Sequence, residues 1–480
     1  PVVEAVPEQN YVLRHKLITL PKGNLKLPKL GVGGAETFNL SNLNANTGYI
    51  TPVVTNFPSL DTTQGFTWVY DVTDYAHMLR DSVDIANGNQ QELIDVKFAM
   101  VKGTPMADVV EMTRPWGQSG SKSYGNLDND ISMEPIDVSV NTSAEHFKMK
   151  TRLTGHGHQS SNPNNAYPHC CEWKNNTHYL RVDGDEAANW HIWQTHECAQ
   201  NPVYPQGGTW PGAREGWCPG DVVKDNEFML TDRVSGSSIN LDYDITPVPS
   251  NNPGMASGNY VMAMHLLQYG AANHSLDAEV YEVLSPTNWE YRSRTNPYCD
   301  DAEIIIRNAG ATKLTSLTIT YMVDGGAPAT FNWTGELDFM EMETVTLPID
   351  EETFWHGDNF GRFITTVSAP NGGTDEYAAN DSYTTTYDQP DVYDSNFIVR
   401  YKTNNYPQEN YWEILDINGD VVAERTNSDA NTLHNDTMDL PPGCYTFHLY
   451  DSEDDGLSYW AWPNQGSGYC RLKENGGGNH

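Results

Sequence analysis

The sequence predicts an all-β protein. Apolar and polar residues alternate with a period of two in several stretches, as in Leu317–Val323, and this alternation is typical of half-buried strands. The periodicity of amphipathic helices is nearly absent. Turn-forming residues separate the strands: Asp324-Gly325-Gly326 predicts a hairpin, and Asn418-Gly419 predicts a hairpin closed by a type I′ turn.

The first element that departs from the strand pattern is one short helix. Asp74–Leu79 has a helix-compatible pattern, and Thr73 precedes it as the predicted N-cap because its hydroxyl can accept a free N–H of the first turn.

The length of 480 residues predicts several domains, since a single core stops growing beyond roughly 250–300 residues. A polar stretch near Asn141 and accumulated Ser, Thr, Asn and Pro at Pro286–Pro297 indicate two boundaries. The acidic, hydroxyl-rich segment Gly372–Tyr393 predicts a linker at a third. We therefore expect four domains, in which the third is an immunoglobulin-like sandwich and the fourth a small accessory β domain: 1–140, 141–290, 291–388 and 389–480.

The composition excludes some classes of partner. Lys and Arg total 28 against 64 Asp and Glu, so the formal net charge of −36 disfavours nucleic acid and anionic membranes. This acidity fits a solvated exterior in a salty or calcium-containing medium, with a specific cationic partner as the alternative. No apolar run reaches the roughly 18–20 residues that span a bilayer. The chain begins at Pro1, which we interpret as a processed mature form or a fragment.

Residues 153–221 are unusually rich in His, Trp and Cys and contain four of the seven cysteines. These cysteines lack the spaced pairs of a zinc ribbon, which favours disulfides and an oxidising compartment. We therefore expect an exported protein, secreted or held at the cell surface. Cys444 and Cys470 are candidates to pair with each other in the last domain.

Four motifs occur in this region: TGHGH at Thr154–His158, CCEW at Cys170–Trp173, ECAQNP at Glu197–Pro202 and AREGWCPG at Ala213–Gly220. In order and spacing they resemble the second jelly roll of the peptide-N-glycosidase F family, bacterial amidases that cut the bond between an asparagine side chain and its glycan. Weaker similarity extends upstream. The resemblance implies two adjacent antiparallel jelly rolls in residues 1–140 and 141–290. The last domain resembles small β modules of exported Bacteroidota proteins that accompany type 9 secretion.

The resemblance also implies roles for single residues. Glu172 matches an active-site glutamate, Arg214 matches an arginine of the substrate cleft, and Cys198 and Cys218 match a family disulfide. A carboxylate that activates water and a donor that stabilises an oxyanion are what amide hydrolysis needs, and no cofactor is required. Four residues are expected to bind substrate, the tryptophans either by stacking on sugar rings or, alternatively, by packing loops: His158, Trp173, Trp210 and Trp217.

The chain departs from the family pattern in two places. Lys174 stands where the family has a cysteine, and residues 1–50 contain no Asp, Cys or Trp, so the family's principal catalytic aspartate, in a motif resembling Cys-Asp-Glu-Trp-Asp-Arg, has no counterpart. Either the chain begins after that motif or the lineage has lost it. Two functions follow: an amidase that acts on N-linked glycans of glycoproteins, or a non-catalytic adhesin or assembly subunit that associates with other surface proteins.

Two metal hypotheses accompany these functions. His156 and His158 form an H-x-H pair, and with Met264 on a later strand they resemble the copper site of peptidylglycine-type monooxygenases. The alternative for His158 is hydrogen bonding in the cleft. The carboxylates of Asp451–Gly456 form a turn that either holds Ca²⁺ or is a solvated acidic turn.

Overall fold

The structure is a computed structural model of the 480-residue chain. It describes residues 3–6, 15–19, 67–79, 82–83, 95–101, 103–117, 120–157, 171–172, 175–194, 214–217, 223–246, 258–288, 292, 301–349, 354–355, 361–387, 395–452, 456–458 and 463–474.

Four strands of the N-terminal part form one sheet, and they are β1 (Val3–Val6), β2 (His15–Thr19), β3 (Thr67–Asp71) and β4 (Asp95–Val101). Their order is β1-β4-β2-β3, with β1 parallel to β4 and the other pairs antiparallel. The helix predicted to follow β3 is a 3₁₀ helix, Thr73–Met78. The predicted N-cap is wrong: Thr73 is the first helical residue, and its N–H donates to the side chain of Asp71 at 2.9 Å.

The second part is a sandwich of two sheets. The strands of the first sheet are β5 (Ala107–Thr113), β6 (Gly120–Ser123), β8 (His146–His156), β13 (Asn226–Met229) and β15 (Asn259–Ala272). Those of the second are β7 (Ile136–Ser139), β9 (His178–Val182), β10 (Asp185–Trp190) and β14 (Ser238–Ile245). The first sheet has the order β13-β8-β15-β5, with β6 also paired to β15, and the second has the order β10-β9-β14-β7. A short helix, α1 (Tyr124–Asp128), follows β6.

The two sheets enclose one apolar core. In β8 the alternate residues Phe147, Met149 and Leu153 face this core, opposite Met262 and Leu266 of β15. Tyr124 of α1 is also part of the core. This alternation is the period-two pattern on which the prediction of an all-β chain depends.

The outer face of the same sheet is covered as well. Leu267 and Tyr269 of β15 pack against Phe339 and Met340 from the third part of the chain. Asp74 of the N-terminal 3₁₀ helix lies over this face too, 3.0 Å from the ammonium of Lys148. Strand β15 is therefore buried on both faces.

A buried charge network fills part of this outer layer. The ammonium of Lys150 lies 2.8 Å from Glu227 and 3.4 Å from Asp74, and Lys148 lies 2.8 Å from Glu227. Arg152 donates to both carboxylate oxygens of Asp225 at 2.6 and 2.8 Å. Burial by itself would raise the pKa of Asp74, but the ammonium groups of Lys148 and Lys150 hold this pKa well below its usual range. The network joins the first part of the chain to the second.

The third part is a second sandwich with its own core. Its strands are β16 (Ala278–Ser285), β17 (Ala302–Asn308), β18 (Leu314–Val323), β19 (Ala329–Leu337), β20 (Met342–Leu347), β21 (Arg362–Ser368) and β22 (Ser382–Thr386). They form two sheets with the orders β16-β17-β20 and β19-β18-β21-β22. The linker predicted at Gly372–Tyr393 is wrong in part, because β22 lies within it and pairs with β21.

The sheets also join residues across two predicted boundaries. Strands β5, β6 and β7 precede residue 141 but pair with β15 and β14. Strand β16 precedes residue 291 but pairs with β17. Strand pairing thus extends across both predicted boundaries. The polar composition of the sequence near these boundaries did not indicate this pairing. The division into four domains stays a prediction.

The C-terminal part contains two three-stranded sheets, β26-β23-β28 and β25-β24-β27, around a small core that includes Tyr401 and Trp412. The strands are β23 (Asn396–Lys402), β24 (Asn410–Asp416), β25 (Val421–Arg425), β26 (Leu433–Asp439), β27 (Tyr445–Asp451) and β28 (Tyr469–Glu474). Two further strands, β11 (Trp193–Gln194) and β12 (Arg214–Glu215), pair near the candidate site. Further 3₁₀ helices span Thr231–Arg233, Pro370–Gly372, Pro407–Glu409 and Pro463–Gln465.

The all-β prediction is confirmed, and both predicted hairpins are present, β18–β19 and β24–β25. The type I′ turn is wrong. Gly419 has φ +82° and its N–H donates to the carbonyl of Asp416 at 2.9 Å, but Asn418 is not in the positive-φ region that a type I′ turn requires. The Asp416 side chain accepts the N–H of Asn418 at 2.9 Å, and this contact favours the observed turn, in which Gly419 but not Asn418 has a positive φ. No helix among the described residues is long and apolar enough to cross a membrane.

Candidate active site

Glu172, the predicted catalytic carboxylate, lies at the end of β8, where the sheet of the second part meets β12. Its side chain is 9% exposed, and one carboxylate oxygen accepts the main-chain N–H of Gly157 at 3.2 Å. Its own carbonyl oxygen accepts the N–H of Glu215 at 3.0 Å. Both ends of the residue are therefore held by main-chain hydrogen bonds.

Two glycines allow these segments to approach. A Cβ on Gly155 would lie 2.0 Å from the carbonyl oxygen of Cys171. Gly216 has φ +83°, and a Cβ there would lie 2.5 Å from the carbonyl oxygen of Leu153. Only glycine fits at either position without a shift of the backbone, which explains a glycine in β8 and another directly after β12.

Trp217 and His156 form a stacked pair beside Glu172. Their ring centroids are 5.1 Å apart with 28° between the ring planes. The indole N–H of Trp217 donates to the carbonyl of Gly155 at 2.8 Å, and Nε2 of His156 lies 2.7 Å from the hydroxyl of Thr154. Trp217 is half-buried. Both rings are thus fixed in orientation at the edge of the candidate site.

Arg214 lies in β12, and its backbone pairs with Gln194 of β11. It immediately precedes Glu215, whose N–H bonds to Glu172, so the segments that carry Glu172 and Arg214 are adjacent. The side chain of Arg214 lies outside the described residues. So do five other predicted site residues: His158, Trp173, Trp210, Cys198 and Cys218.

A buried polar network lies beneath Glu172, and its centre is Glu215, which is fully buried. One carboxyl oxygen of Glu215 accepts the hydroxyl of Tyr260 at 3.0 Å and the N–H of Asn176 at 3.3 Å, and lies 3.2 Å from Nε2 of His178. Nδ1 of His178 lies 2.6 Å from the hydroxyl of Tyr243. The network connects β9, β14 and β15 to β12, and the main chain of β12 is hydrogen-bonded to Glu172.

Burial sets the protonation states of this network. Burial raises the pKa of Glu215 well above its usual range, and it lowers the pKa of His178 to about 3. The second carboxyl oxygen of Glu215 is buried and has no hydrogen-bond partner among the described residues, which costs less for a neutral carboxyl than for a carboxylate. A neutral His178 then donates from Nε2 to Glu215 and accepts from Tyr243 at Nδ1.

Sequence reasoning missed Glu215 and its partners. The available signal was the position of Glu215 inside the AREGWCPG motif, next to Arg214 on a short strand. Because successive residues of a strand point to opposite faces, one of these two neighbours had to face inward. The sequence does not indicate which one.

The copper site predicted at His156, His158 and Met264 is wrong as a set. In the β8–β15 register His156 lies opposite Asn259, whereas Met264 lies opposite Thr151. Five residues of strand separate the two levels by roughly 16 Å, and an odd offset puts the side chains on opposite faces of the sheet. Met264 packs in the apolar core. His156 and Met264 therefore cannot bind the same ion.

Two C-terminal predictions have different outcomes. Cys470 carries a free thiol, so its predicted pairing with Cys444 is wrong, and burial raises the pKa of this thiol to about 11.

In the acidic turn Asp451–Gly456, the carboxylate of Asp451 accepts the N–H of Gly456. Residues 453–455, which carry the other carboxylates, lie outside the described residues, so the calcium hypothesis there stays a prediction.

Comparison with known proteins identifies the region that contains this site. Residues 123–267 match the family model of the C-terminal domain of peptide-N-glycosidase F. A curated relative, the peptide-N(4)-(N-acetyl-β-D-glucosaminyl)asparagine amidase F of Elizabethkingia miricola, is 24% identical over 226 residues. The match covers 44% of this chain and 60% of the relative, so the chain spans less than two thirds of that protein.

Solved structures of proteins with the same or a related name are less identical to this chain than the curated relative is. A crystal structure of a peptide-N(4)-(N-acetyl-β-D-glucosaminyl)asparagine amidase is 20% identical, covering 42% of this chain and 67% of that one, with a TM-score of 0.33. PNGase F of Flavobacterium meningosepticum is 16% identical, covering 55% and 80%, with a TM-score of 0.32. The family match spans β8, β12 and β15, and with them Glu172, Arg214 and Glu215. Residues 123–267, which hold Glu172, Arg214 and Glu215, are therefore similar to the C-terminal domain of peptide-N-glycosidase F, and the chain is peptide-N-glycosidase F-like.

Proposed function

We propose that this protein is an amidase that acts on N-linked glycoproteins and cleaves the bond between the asparagine side chain and its glycan. The observation that carries the proposal is the position of Glu172. Its carboxylate is held by the N–H of Gly157, and its main chain is bonded to β12, which carries Arg214, within the segment that matches the family.

In the proposed reaction, water adds to the side-chain amide carbon of the glycosylated asparagine, and the C–N bond breaks. The asparagine becomes an aspartate, and the glycan leaves as a glycosylamine that takes up a proton. Glu172 accepts the proton of the attacking water or delivers it to the leaving nitrogen, and Arg214 donates to the oxyanion that develops on the carbonyl oxygen.

Trp217 supports a role in sugar binding. Its indole is fixed by the hydrogen bond to Gly155 and by stacking on His156, and it remains half-buried. A rigid aromatic ring beside the carboxylate offers a surface on which a sugar ring stacks at low cost in conformational entropy.

A second candidate function is glycan binding without hydrolysis, by a surface protein that associates with other surface proteins. The observation that favours it is the composition of residues 1–50, which contain no Asp, Cys or Trp and so no counterpart of the family's principal aspartate. Export to the cell surface or the medium belongs to both candidates and stays a prediction.

The two candidates are separated by incubating the protein with a denatured N-glycoprotein in H₂¹⁸O. We expect glycan release, with the former glycosylation site recovered as aspartate carrying the heavy oxygen by mass spectrometry. Binding of the glycoprotein without any conversion to aspartate would overturn the amidase and support the binding protein.

The role of Glu172 is tested by Glu172→Gln. We expect conversion to fall by at least about a hundredfold, the range for loss of a general acid or base, while binding of the glycoprotein persists. The matched control is Glu186→Gln, an exposed glutamate of the same sandwich, which should retain full activity. Equal activity of the two variants would remove Glu172 from the mechanism.

A further inference from the structure

A second polar site lies away from Glu172, at the junction between the second and third parts of the chain. Asp277 lies in the connection from β15 to β16, and Asp375 and Asp381 lie in the connection from β21 to β22. One carboxylate oxygen from each of the three lies within 4.8 Å of the others. Two oxygens that bind one Ca²⁺ at about 2.3–2.6 Å are separated by at most roughly 5 Å, so the spacing suits a shared cation.

Three oxygen atoms at this site have no hydrogen-bond partner among the described residues. They are Oδ2 of Asp277, Oδ1 of Asp381 and Oδ1 of Asn380, and all three are buried. Asp277 is 1% exposed and Asn380 is 4% exposed, and Nδ2 of Asn380 donates to the other oxygen of Asp277 at 3.0 Å. A buried acceptor without a donor is costly. All three unsatisfied atoms are oxygens, which is what a cation binds.

Within the part of the chain that the structure describes, no Lys or Arg forms an ion pair with Asp277, Asp375 or Asp381, so no positively charged side chain there balances these carboxylates.

The backbone around the site is already ordered. The N–H of Ala278 donates to Asp375 at 2.9 Å, and the N–H of Glu376 donates to the carbonyl of Leu276 at 3.0 Å. The N–H of Val280 donates to the carbonyl of Asn380 at 3.2 Å. The two connections are thus held against each other by main-chain hydrogen bonds, and their carboxylates converge without rearrangement.

We propose that Asp277, Asp375, Asp381 and the side-chain oxygen of Asn380 bind a Ca²⁺ ion that fastens the β15–β16 connection to the β21–β22 connection. The ligands are all hard oxygens, with no imidazole or thiolate, which selects Ca²⁺ or Mg²⁺ over zinc and copper. Carboxylates combined with an amide oxygen suit the flexible coordination of Ca²⁺ better than the octahedral, water-rich shell of Mg²⁺.

The test compares the full chain, stripped of ions with a chelator, before and after addition of CaCl₂. We expect about one Ca²⁺ per chain at this site by calorimetric titration, and at about 100 times the Kd a rise of roughly 5–10 °C in the unfolding midpoint. Absence of any shift, or an equal shift with MgCl₂, would overturn the assignment to Ca²⁺.

Variants assign the effect to these residues. Asp277→Asn and Asp381→Asn should each remove the calcium-dependent shift, and without calcium they should unfold no earlier than the wild type because repulsion is relieved. The matched control Asp338→Asn, an exposed aspartate of the same sandwich, should keep the shift. A calcium response of wild-type size in both Asp277→Asn and Asp381→Asn would contradict the proposal.

Discussion

The carbonyl oxygen of Glu172 accepts the main-chain N–H of Glu215 at 3.0 Å, so the main chains of two buried glutamates are joined by a hydrogen bond. Through this bond the buried network of His178, Tyr260 and Asn176 positions the candidate catalytic residue. Glu215 is thus a positioning residue: it acts on the site through the backbone of Glu172.

We predict that Glu215→Gln is tolerated. Because burial raises the pKa of Glu215 well above its usual range and so favours the neutral carboxyl, a neutral amide of the same shape keeps the contacts with Tyr260 and His178. Urea denaturation should show a change below about 1 kcal/mol, whereas Glu215→Ala should cost about 2–4 kcal/mol because it leaves a cavity and unpaired donors. A loss above about 3 kcal/mol for the glutamine variant would indicate an ionised Glu215.

Stability should fall with acid through His178. Its pKa is lowered to about 3 in the folded chain from 6.5, so the unfolded state binds the proton first as pH falls. The stabilisation is complete above pH 6.5 and is lost between 6.5 and about 3, which amounts to about 2 kcal/mol from pH 7 to pH 5.

The contribution of His178 is isolated with His178→Gln, which cannot titrate but can still donate to Glu215. The difference in unfolding free energy between pH 7 and pH 5 should shrink by that amount relative to the wild type. His448→Gln, a half-exposed histidine beside Glu413, is the control and should leave the difference unchanged. An identical pH dependence in all three proteins would show that His178 is not buried in its neutral form.

Breaking the buried charge network should be costly. Asp74→Asn removes the negative partner that lies 3.0 Å from Lys148 and 3.4 Å from Lys150, and leaves two buried ammonium groups with less compensation. We expect a loss of about 3–5 kcal/mol in chemical denaturation. Asp338→Asn, which removes an exposed partner of Lys313, should cost less than about 1 kcal/mol. Equal effects would mean that Asp74 is solvated.

A methyl group at Gly155 should disturb both the fold and the site. In Gly155→Ala the new Cβ meets the carbonyl of Cys171, the residue before Glu172, so the loop that carries Glu172 has to move. We expect a loss of about 1–3 kcal/mol in stability and a larger proportional loss of glycan release. Gly120→Ala is the control because nothing lies within 4 Å of its added Cβ. Full activity in Gly155→Ala would show that the loop is not held there.

Local patterns were enough to predict the strands and the hairpin at Asp324-Gly325-Gly326, since a hairpin depends on residues close in sequence. The adjacency of the Glu172 and Arg214 segments was expected only from family resemblance. The alternation of Lys148, Lys150 and Arg152 with apolar neighbours shows that these three side chains share a face of β8. It does not show that Asp74 and Glu227 cover that face, because period two reports which residues lie together and not what lies over them.

The site at Asp277 was unpredictable for a related reason. Asp277 and Asp375 are far apart in the sequence, and Gly372–Tyr393 has the acidic, hydroxyl-rich composition of a solvated linker. Only the pairing of β21 with β22 and the docking of the two connections bring these carboxylates together. Composition cannot distinguish a solvated acidic segment from one that converges on another.

Strand β15 pairs with β5, β6 and β8. One of its faces is buried in the core of the second part of the chain, and the other is covered by Phe339 and Met340. A fragment cut at residue 141 would lose β5 and β6, and one cut at residue 290 would uncover Leu267 and Tyr269. A unit that contains the site and keeps β15 covered therefore includes β5, β6, Phe339 and Met340, and the buried charge network adds Asp74 of the N-terminal 3₁₀ helix. A Glu172 domain moved alone into another protein would need a new cover for the outer face of this strand.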